Sequence, residues 1–263
     1  MQKSYLHKDC HSPVSWGVEP AAASPSGLPY RELEGYPLSD LARPKIIVRQ
    51  TGENNIIFAD WDSLNIIHDV MIEVMGSNNV IYLGSRTYIM KLRLVIQGHN
   101  NVLGFGERSH FGGNRMQISG SNCAIICGNG FGIQSNTMLL AKENGCRITV
   151  GDDCMFSTDI AIRTSDNHPV FDMKTKERVN MGQDVNIGSR VWIGENAKIL
   201  KGVTLANDVI VGAASVVTRN APANTVVAGA PAKVVKTGVF WYRHFALMED
   251  YDPYNPTPWP YPA

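Results

Sequence analysis

The chain has 263 residues, of which 44% are hydrophobic and 18% are charged, and its net charge is zero. This apolar content is sufficient for a sizeable core and excludes wholesale disorder. The balance of 24 basic and 24 acidic residues provides no electrostatic attraction to nucleic acid or to an anionic membrane, so neither is expected as a partner.

No stretch of the chain approaches the length of about 18 apolar residues that marks a transmembrane helix. Residues 1–11 are polar and lack the apolar core of a secretory signal, so we expect a cytoplasmic protein. The five cysteines show no C-x-x-C motif and no paired framework. In a reducing compartment this pattern predicts free, mostly buried thiols.

The N-terminal part of the chain predicts an irregular arm. Residues 1–45 contain six prolines and show no sustained hydrophobic periodicity. We expect one short helix in this arm, near Tyr30 to Leu41.

The region after the arm contains a repeat built on Gly-x-Asn-Asn. Its four copies, the last of which reads Gly-Ser-Asn-Cys, begin at Gly52, Gly76, Gly98 and Gly120, and are 24, 22 and 22 residues apart. Gly and Asn tolerate the positive φ of tight turns, and a short apolar run follows each turn. A turn and a strand recurring at this interval indicate a parallel β-solenoid, in which each coil buries its apolar side chains only against the adjacent coils.

A second, tighter repeat follows, in which an aliphatic residue recurs every six positions. These aliphatic residues are Ile187, Ile193, Ile199, Leu205, Val211 and Val217. Four positions after each stands a small or β-branched residue, and these are Val191, Ala197, Val203, Val209, Ser215 and Ala221. A helical repeat is excluded, because six is not a multiple of the helical period of about 3.6 residues.

These hexads resemble those of the hexapeptide-repeat acyltransferases, firmly over residues 150–236 and more loosely over residues 52–151. The resemblance implies an all-β fold, a left-handed parallel β-helix whose triangular coils are each made of three hexads. We therefore expect a β-helical domain over residues 46–236, with the longer early coils bulging at their corners. Its left-handedness comes from the resemblance alone and runs against the usual preference for right-handed crossovers.

The hexad register breaks once, after Ile162, and resumes at Met181. The extra residues predict an excursion loop within residues 164–180, and such loops commonly carry active-site residues. This loop contains His168, followed by proline, and the resemblance implies that His168 is the catalytic base. The alternative is a surface-loop histidine without a role.

Three carboxylates are candidates for orienting the His168 imidazole through Nδ1. Asp166 is the first choice because it is two residues away in the same loop, whereas Asp172 and Glu195 are weaker candidates. Loop carboxylates more often cap turns, which is the alternative for each of them.

Trp192 is the second candidate catalytic residue. Side chains alternate along a strand, so Trp192 points outward when Val191 and Ile193 point into the core. The resemblance implies that this indole lies beside the acetyl thioester, with nearby backbone N–H groups binding the oxyanion. Packing between the subunits of a trimer is the alternative, and the two roles are compatible.

The end of the hexad region resembles the coenzyme A segment of the same family. The resemblance implies that basic side chains bind the phosphates and that small residues line the pantetheine and adenine. The positions that match are Ala213, Thr218, Arg219, Gly229, Pro231 and Lys236, together with Trp192.

The remaining features carry weaker signals. His99, His110 and His168 are scattered along the chain, so no metal site is expected. Residues 237–263 form a C-terminal extension whose aromatic segment, residues 239–245, either packs as a terminal helix against the end of the solenoid or stacks on sugar rings.

The sequence therefore predicts an acetyl-CoA-dependent O-acetyltransferase that acts by direct transfer, with no covalent intermediate. The His168 loop resembles that of bacterial capsular and surface polysaccharide O-acetyltransferases, which implies a sugar hydroxyl as acceptor. A small acceptor, either a simple saccharide or an antibiotic, is the alternative, and a non-catalytic scaffold is a remote one. The resemblance and the outward apolar positions, Ile210 and Val216 among them, predict a homotrimer with sites between subunits.

Overall fold

The computed structural model describes residues 34–38, 46–59 and 67–243. The predictions for the rest of the N-terminal arm and for the C-terminal extension beyond Arg243 lie outside the described residues. No α-helix occurs in the described ranges, and hence none that could cross a membrane.

The described strands form three sheets. Sheet A contains, in spatial order, β1 (Glu34–Pro37), β3 (Ile56–Ala59), β6 (Val80–Leu83), β9 (Val102–Phe105), β12 (Ala124–Cys127), β15 (Arg147–Val150), β18 (Val185–Ile187) and β21 (Thr204–Leu205). Sheet B contains β2 (Ile46–Thr51), β5 (Val70–Met75), β8 (Arg93–Gln97), β11 (Arg115–Ser119), β14 (Met138–Lys142), β17 (Ala161–Arg163), β20 (Lys198–Ile199) and β23 (Val216–Val217). Sheet C contains β4 (Ile67–His68), β7 (Tyr88–Met90), β10 (His110–Gly112), β13 (Gly132–Ile133), β16 (Met155–Phe156), β19 (Trp192–Ile193), β22 (Ile210–Val211), β24 (Thr225–Gly229) and β25 (Ala232–Thr237).

The order of the strands confirms the predicted parallel β-solenoid. From β2 onward the chain visits sheets B, A and C in turn, and strands three apart along the chain pair in parallel, as β12 does with β9 and β15. The three sheets are the sides of a triangular prism. We name its corners by the sheets that they join, so the chain passes from B to A through the A–B corner.

The two ends of the solenoid depart from this pattern. β1 pairs antiparallel with β3, and β24 pairs antiparallel with β25. The prediction of a short helix near Tyr30 to Leu41 is therefore wrong at residues 34–37. These residues form a strand that covers the first edge of sheet A. An exposed edge of unpaired backbone groups favours such pairing over the weak local preference for a helix.

The hexads form the core as predicted. Their aliphatic residues are at most 3% exposed, as are the small residues four positions later, Ser215 included. The Gly-x-Asn-Asn turns also occur as predicted, because Asn54, Asn78, Asn100 and Asn122 all have positive φ.

The second asparagine of the first three turns has a role that the sequence did not reveal. Asn55, Asn79 and Asn101 are buried at the A–B corner and form a ladder along the solenoid. Nδ2 of Asn79 donates to Oδ1 of Asn55 at 3.0 Å, and Nδ2 of Asn101 donates to Oδ1 of Asn79 at 3.0 Å. The ladder thus satisfies polar groups that would otherwise be costly to bury.

The predicted excursion loop, residues 164–180, lies between two strands that follow each other in the coil. β17 ends at Arg163 and β18 begins at Val185, whereas only residues 143–146 separate β14 from β15 at the same corner of the preceding coil. Met181, where the register was expected to resume, is only half-buried and precedes β18. The next residue, Gly182, ties this part of the chain to the preceding coil, because its N–H donates to Oε2 of Glu143 at 3.1 Å.

Candidate active site

The excursion loop leaves the solenoid at the A–B corner and folds back on itself. Phe171 and Arg178 form an antiparallel bridge, and Oδ1 of Asp172 accepts hydrogen bonds from the N–H groups of Lys174 and Thr175 at 2.8 and 2.9 Å. Asp172 therefore caps the turn at the tip of the loop. The hydrogen bond from Thr175, and to a lesser extent that from Lys174, lowers the pKa of Asp172.

Asn180 holds the two sides of this loop together. Its Nδ2 donates to the His168 carbonyl at 2.8 Å, and its Oδ1 accepts from the N–H of Val170 at 2.6 Å. Nε of Arg178 also donates to Oδ1 of Asn180, at 3.2 Å. The backbone at His168 is consequently fixed, while its imidazole lies on the exposed surface of the loop.

Asp166 lies beside Lys201 and Asn180. Its Oδ2 accepts a hydrogen bond from Nδ2 of Asn180 at 2.9 Å and forms a short ion pair with Nζ of Lys201. The hydrogen bond from Lys201 is the main reason that the pKa of Asp166 is lowered. Within the part of the chain that the structure describes, no hydrogen bond joins Asp166 to the imidazole of His168.

Glu143, in the A–B corner after β14, anchors the loop to the coil. Its Oε1 accepts hydrogen bonds from the guanidinium of Arg178 at 2.7 Å and from Oγ of Ser165 at 2.5 Å. Burial by itself would raise the pKa of Glu143. The hydrogen bonds from Arg178, Ser165 and the Gly182 N–H have a larger combined effect in the opposite direction, so the net pKa is lowered. Glu143 therefore stays ionised and holds the base of the loop.

Trp192 points outward from sheet C, as predicted, and is 37% exposed, while its neighbours Val191 and Ile193 are buried. It belongs to an outward-facing row across sheet C in which Trp192 pairs with Ile210, Ile210 with Val226, and Val226 with Lys236. At the usual strand spacing the row places Lys236 about 14 Å from Trp192. The result is an apolar strip with a cationic end.

The structure divides the predicted site residues into two groups. His168, Asp166, Thr218 and Arg219 lie at the A–B corner, the last two directly after β23 of sheet B. The second group lies on sheet C and its adjoining corner with sheet B, and comprises Trp192, Ala213, Gly229, Pro231 and Lys236. In a triangular prism the A–B corner is opposite sheet C, so a single chain does not bring the two groups together.

Few backbone N–H groups near Trp192 are available to an oxyanion. Those of Trp192 and Gly194 donate to the carbonyls of Val209 and Val211 at 3.0 and 2.8 Å. Those of Glu195 and Ala213, in the corner between sheets C and B, have no acceptor among the described residues. Both residues are exposed.

The described cysteines do not provide a nucleophile. Cys123, Cys127, Cys146 and Cys154 are free and buried, as expected. Burial is the main cause that raises the pKa of Cys123 to about 11 and of Cys154 to about 12. Such thiols are protonated at neutral pH and are poor nucleophiles. The described residues also contain no group of three or more His, Cys, Asp or Glu side chains that could hold a metal ion.

The aromatic segment after β25 is not helical over residues 239–243, contrary to the packing alternative with a terminal helix. It lies instead along the corner between sheets A and C. The ring centroids of Trp241 and Trp192 are 6.1 Å apart. The sequence drew attention to Trp241 only as part of the aromatic segment, and it gave no signal for Asn180, Lys201 or Glu143, because none of these three lies in a recognisable motif.

A parallel solenoid with six-residue repeats and one excursion loop defines the hexapeptide-repeat class. Residues 184–219 match the family model described as bacterial transferase hexapeptide with six repeats. The chain is 33% identical over 158 residues to the polysialic acid O-acetyltransferase of Neisseria meningitidis, which covers 58% of this chain and 69% of that relative. The chain belongs to the hexapeptide-repeat acyltransferase family.

Two further likenesses concern enzymes of the same name. The chain is 39% identical over 98 residues to the polysialic acid O-acetyltransferase of Escherichia coli O1:K1, a match that covers 37% of this chain and 32% of that relative. The solved structure of the polysialic acid O-acetyltransferase OatWY is similar with a TM-score of 0.65 at 29% identity, covering 80% of this chain and 96% of that chain.

Proposed function

We propose that this protein is an O-acetyltransferase that transfers the acetyl group of acetyl-CoA to a hydroxyl of a saccharide. The observation that carries the proposal is the similarity to a polysialic acid O-acetyltransferase over 69% of that relative's length. It is supported by the exposed histidine on the excursion loop and the outward tryptophan of sheet C, at the positions that the family resemblance implies for catalysis.

The outward row of sheet C fits the acyl donor. Coenzyme A has a long, largely apolar arm and a polyphosphate end, and the row offers Trp192, Ile210 and Val226 followed by Lys236. The thioester lies beside Trp192 in this arrangement, and the phosphates lie near Lys236. The exposed turn with Gly229 and Pro231 lies at the same end of the solenoid.

His168 is the general base of the proposed reaction. Its imidazole removes the proton of the acceptor hydroxyl, whose oxygen bonds to the thioester carbon as the carbon–sulfur bond breaks. The protonated imidazole then returns the proton to the departing thiolate. The products are an acetyl ester and free coenzyme A, and no protein nucleophile takes part.

Backbone N–H groups stabilise the negative charge that develops on the thioester oxygen. The N–H groups of Glu195 and Ala213 are the donors that we assign, because those of Trp192 and Gly194 already bond to carbonyls within sheet C. Preorganised donors of this kind act without reorganisation during the reaction.

The active site lies between subunits of a homotrimer in this proposal. His168 and Arg219 lie at the A–B corner, whereas Trp192 and Lys236 lie on the opposite sheet C. A neighbouring copy that places its A–B corner against sheet C completes the site. The exposed apolar side chains of the loop, with Phe171 56% and Met173 84% exposed, would be covered by this arrangement.

The acceptor that we favour is a bacterial surface or capsular polysaccharide, because both named relatives are polysialic acid O-acetyltransferases. A small saccharide or an antibiotic is the alternative acceptor. We place the reaction in the cytoplasm, where acetyl-CoA is available and where the free cysteines would remain reduced.

The test is the release of thiol from acetyl-CoA by the purified protein, with a panel of sialylated and neutral polysaccharides, simple saccharides and antibiotics as acceptors. We expect release that depends on a polysaccharide and a product that carries an ester. Release only with a small acceptor would overturn the polysaccharide assignment. No release with any member of the panel would overturn the proposed enzyme.

A further inference from the structure

A short segment after the last strand runs back along the solenoid past Trp192. We name residues 239–243 the strap. The N–H of Val239 donates to the carbonyl of Asn224 at 3.1 Å, and Nδ2 of Asn224 donates to the Val239 carbonyl at 3.3 Å. From there the strap follows the corner between sheets A and C toward earlier coils.

Trp241 and Arg243 attach the strap at three successive coils. Nε1 of Trp241 donates to the carbonyl of Arg190 at 2.7 Å. The guanidinium of Arg243 donates to the carbonyls of Gly130 and Cys154, both at 3.1 Å. These carbonyls lie just before strands of sheet C, so the strap lies at the edge of the sheet that carries Trp192.

The strap presents Trp241 to Trp192. The ring centroids are 6.1 Å apart with an interplanar angle of 49°, within the range of a favourable tilted aromatic pair. The guanidinium carbon of Arg243 lies 5.8 Å from the centroid of the Trp241 ring, so a cation–π contact acts on the same indole. Trp241 is therefore held by a hydrogen bond and by the Arg243 guanidinium, and it faces an indole that is 37% exposed.

From this geometry we infer that Trp241 is a positioning residue for Trp192 and that the strap forms one wall of the donor site. The inference rests on the proposed function, in which Trp192 lies beside the acetyl thioester. An indole on an open sheet surface has several rotamers, and a fixed aromatic neighbour restricts them. Without Trp241, the Trp192 side chain can adopt other rotamers, in which it does not bind the thioester.

The experiment compares Trp241→Ala and Trp241→Phe with wild type. We expect Trp241→Ala to raise the KM and the Kd for acetyl-CoA about three- to tenfold, the range for losing one aromatic pair, with an unchanged KM for the acceptor. Trp241→Phe keeps a ring opposite Trp192 and loses only the hydrogen bond to Arg190. It should restore most of the affinity.

A double-mutant cycle separates positioning from general destabilisation. In a Trp192→Ala background, Trp241→Ala should change acetyl-CoA affinity by less than about twofold, because its effect passes through Trp192. The matched control is Phe58→Leu, which removes a different aromatic pair, with Tyr82 at 4.9 Å, near the other end of the solenoid. This control should leave the donor KM unchanged.

The outcomes distinguish this inference from the proposed function. A wild-type protein that binds no acetyl-CoA by calorimetry would overturn both. If acetyl-CoA binding depended on Trp241 but no acceptor received the acetyl group, the role of the strap in donor binding would be supported and the proposed acetyltransferase activity would be refuted. Trp241 would have no positioning role if the Trp241→Ala variant bound and used acetyl-CoA as wild type does. The same conclusion would follow if Trp241→Ala lowered the affinity for acetyl-CoA by the same factor in the Trp192→Ala background as in the wild-type background.

Discussion

His168 combines a fixed backbone with an exposed imidazole. Asn180 holds the backbone directly after the histidine, through the His168 carbonyl and the Val170 N–H, and it also bonds to the side chain of Asp166, two residues before the histidine. Each polar atom of the Asn180 amide thus has a partner. The sequence identified the histidine from its loop and motif, but no local pattern marks an asparagine whose partners are brought together only when the loop closes.

Asn180→Asp is expected to impair catalysis without impairing donor binding. The aspartate cannot donate to the His168 carbonyl, and its charge lies beside that of Asp166, so the loop should lose its closed form. We expect kcat to fall about tenfold, as a misplaced general base loses part of its contribution, with little change in the KM for acetyl-CoA. Steady-state kinetics would show this.

The matched control is Asn186→Ala. Asn186 is exposed on β18 and accepts a hydrogen bond from Oγ1 of Thr149 at 2.8 Å, outside the loop. Its replacement should leave kcat unchanged. Equal losses in both variants would show that Asn180 has no particular role in placing His168.

Arg219 and Lys236 should affect the donor and not the acceptor. Both are exposed and are assigned to the coenzyme A phosphates. We expect Arg219→Ala and Lys236→Ala each to raise the KM for acetyl-CoA about five- to hundredfold, the effect of losing one charge-assisted contact, and less at high salt. Acetyl-pantetheine, which lacks the phosphates, should not distinguish either variant from wild type. A higher acceptor KM in Arg219→Ala would contradict this placement of the donor.

At the scale of elements, the repeating part of the fold was predictable and the exceptions were not. The inward positions of each hexad must be apolar or small, so strands such as β19 and β20 could be located from period alone. β1 forms because it covers a sheet edge, which no local pattern encodes. The buried ladder of Asn55, Asn79 and Asn101 was also hidden, because turn chemistry already accounted for these asparagines.

The excursion loop depends on the ionised form of Glu143. The pKa of Glu143 is lower in the folded protein than its ordinary value of 4.5, since its hydrogen bonds, chiefly from Arg178, outweigh the effect of burial. A carboxyl with a lowered folded pKa stabilises the fold above its unfolded pKa, and this stabilisation is lost as the pH falls through the folded pKa. The loop should therefore be well anchored at neutral pH and loosen in acid.

Glu143→Gln tests this anchor. At pH 7 we expect a lower Tm, by about 2 to 4 °C, and faster tryptic cleavage after Lys174 and Lys176 in the loop. The difference in Tm from wild type should vanish as the pH falls below the folded pKa. Glu73→Gln removes an ion pair with Arg93 on sheet B, 2.7 Å long, and should not change cleavage in the loop. A Tm difference that persists in acid would contradict the account.

At the scale of the whole molecule, the triangular cross-section separates His168 from Trp192. The loop leaves between β17 of sheet B and β18 of sheet A, and Trp192 lies on β19 of sheet C. The sequence placed both residues in one site through their resemblance to a family, and it could not show that one chain holds them apart. The proposed trimer of 28.9 kDa subunits would resolve this separation, because each of its interfaces would join two different faces.

The most direct test of a shared site mixes two impaired variants, each of which lacks one side chain of the proposed site. His168→Ala should lower kcat about 10² to 10⁴-fold, and Trp192→Ala should lose donor affinity. The two proteins are unfolded together, refolded in equal amounts, and assayed for thiol release from acetyl-CoA with a polysaccharide acceptor. Random trimers bring an intact His168 and an intact Trp192 to about one interface in four, so we predict recovery of about a quarter of wild-type activity. A mixture no more active than its two parents would contradict a site shared between subunits.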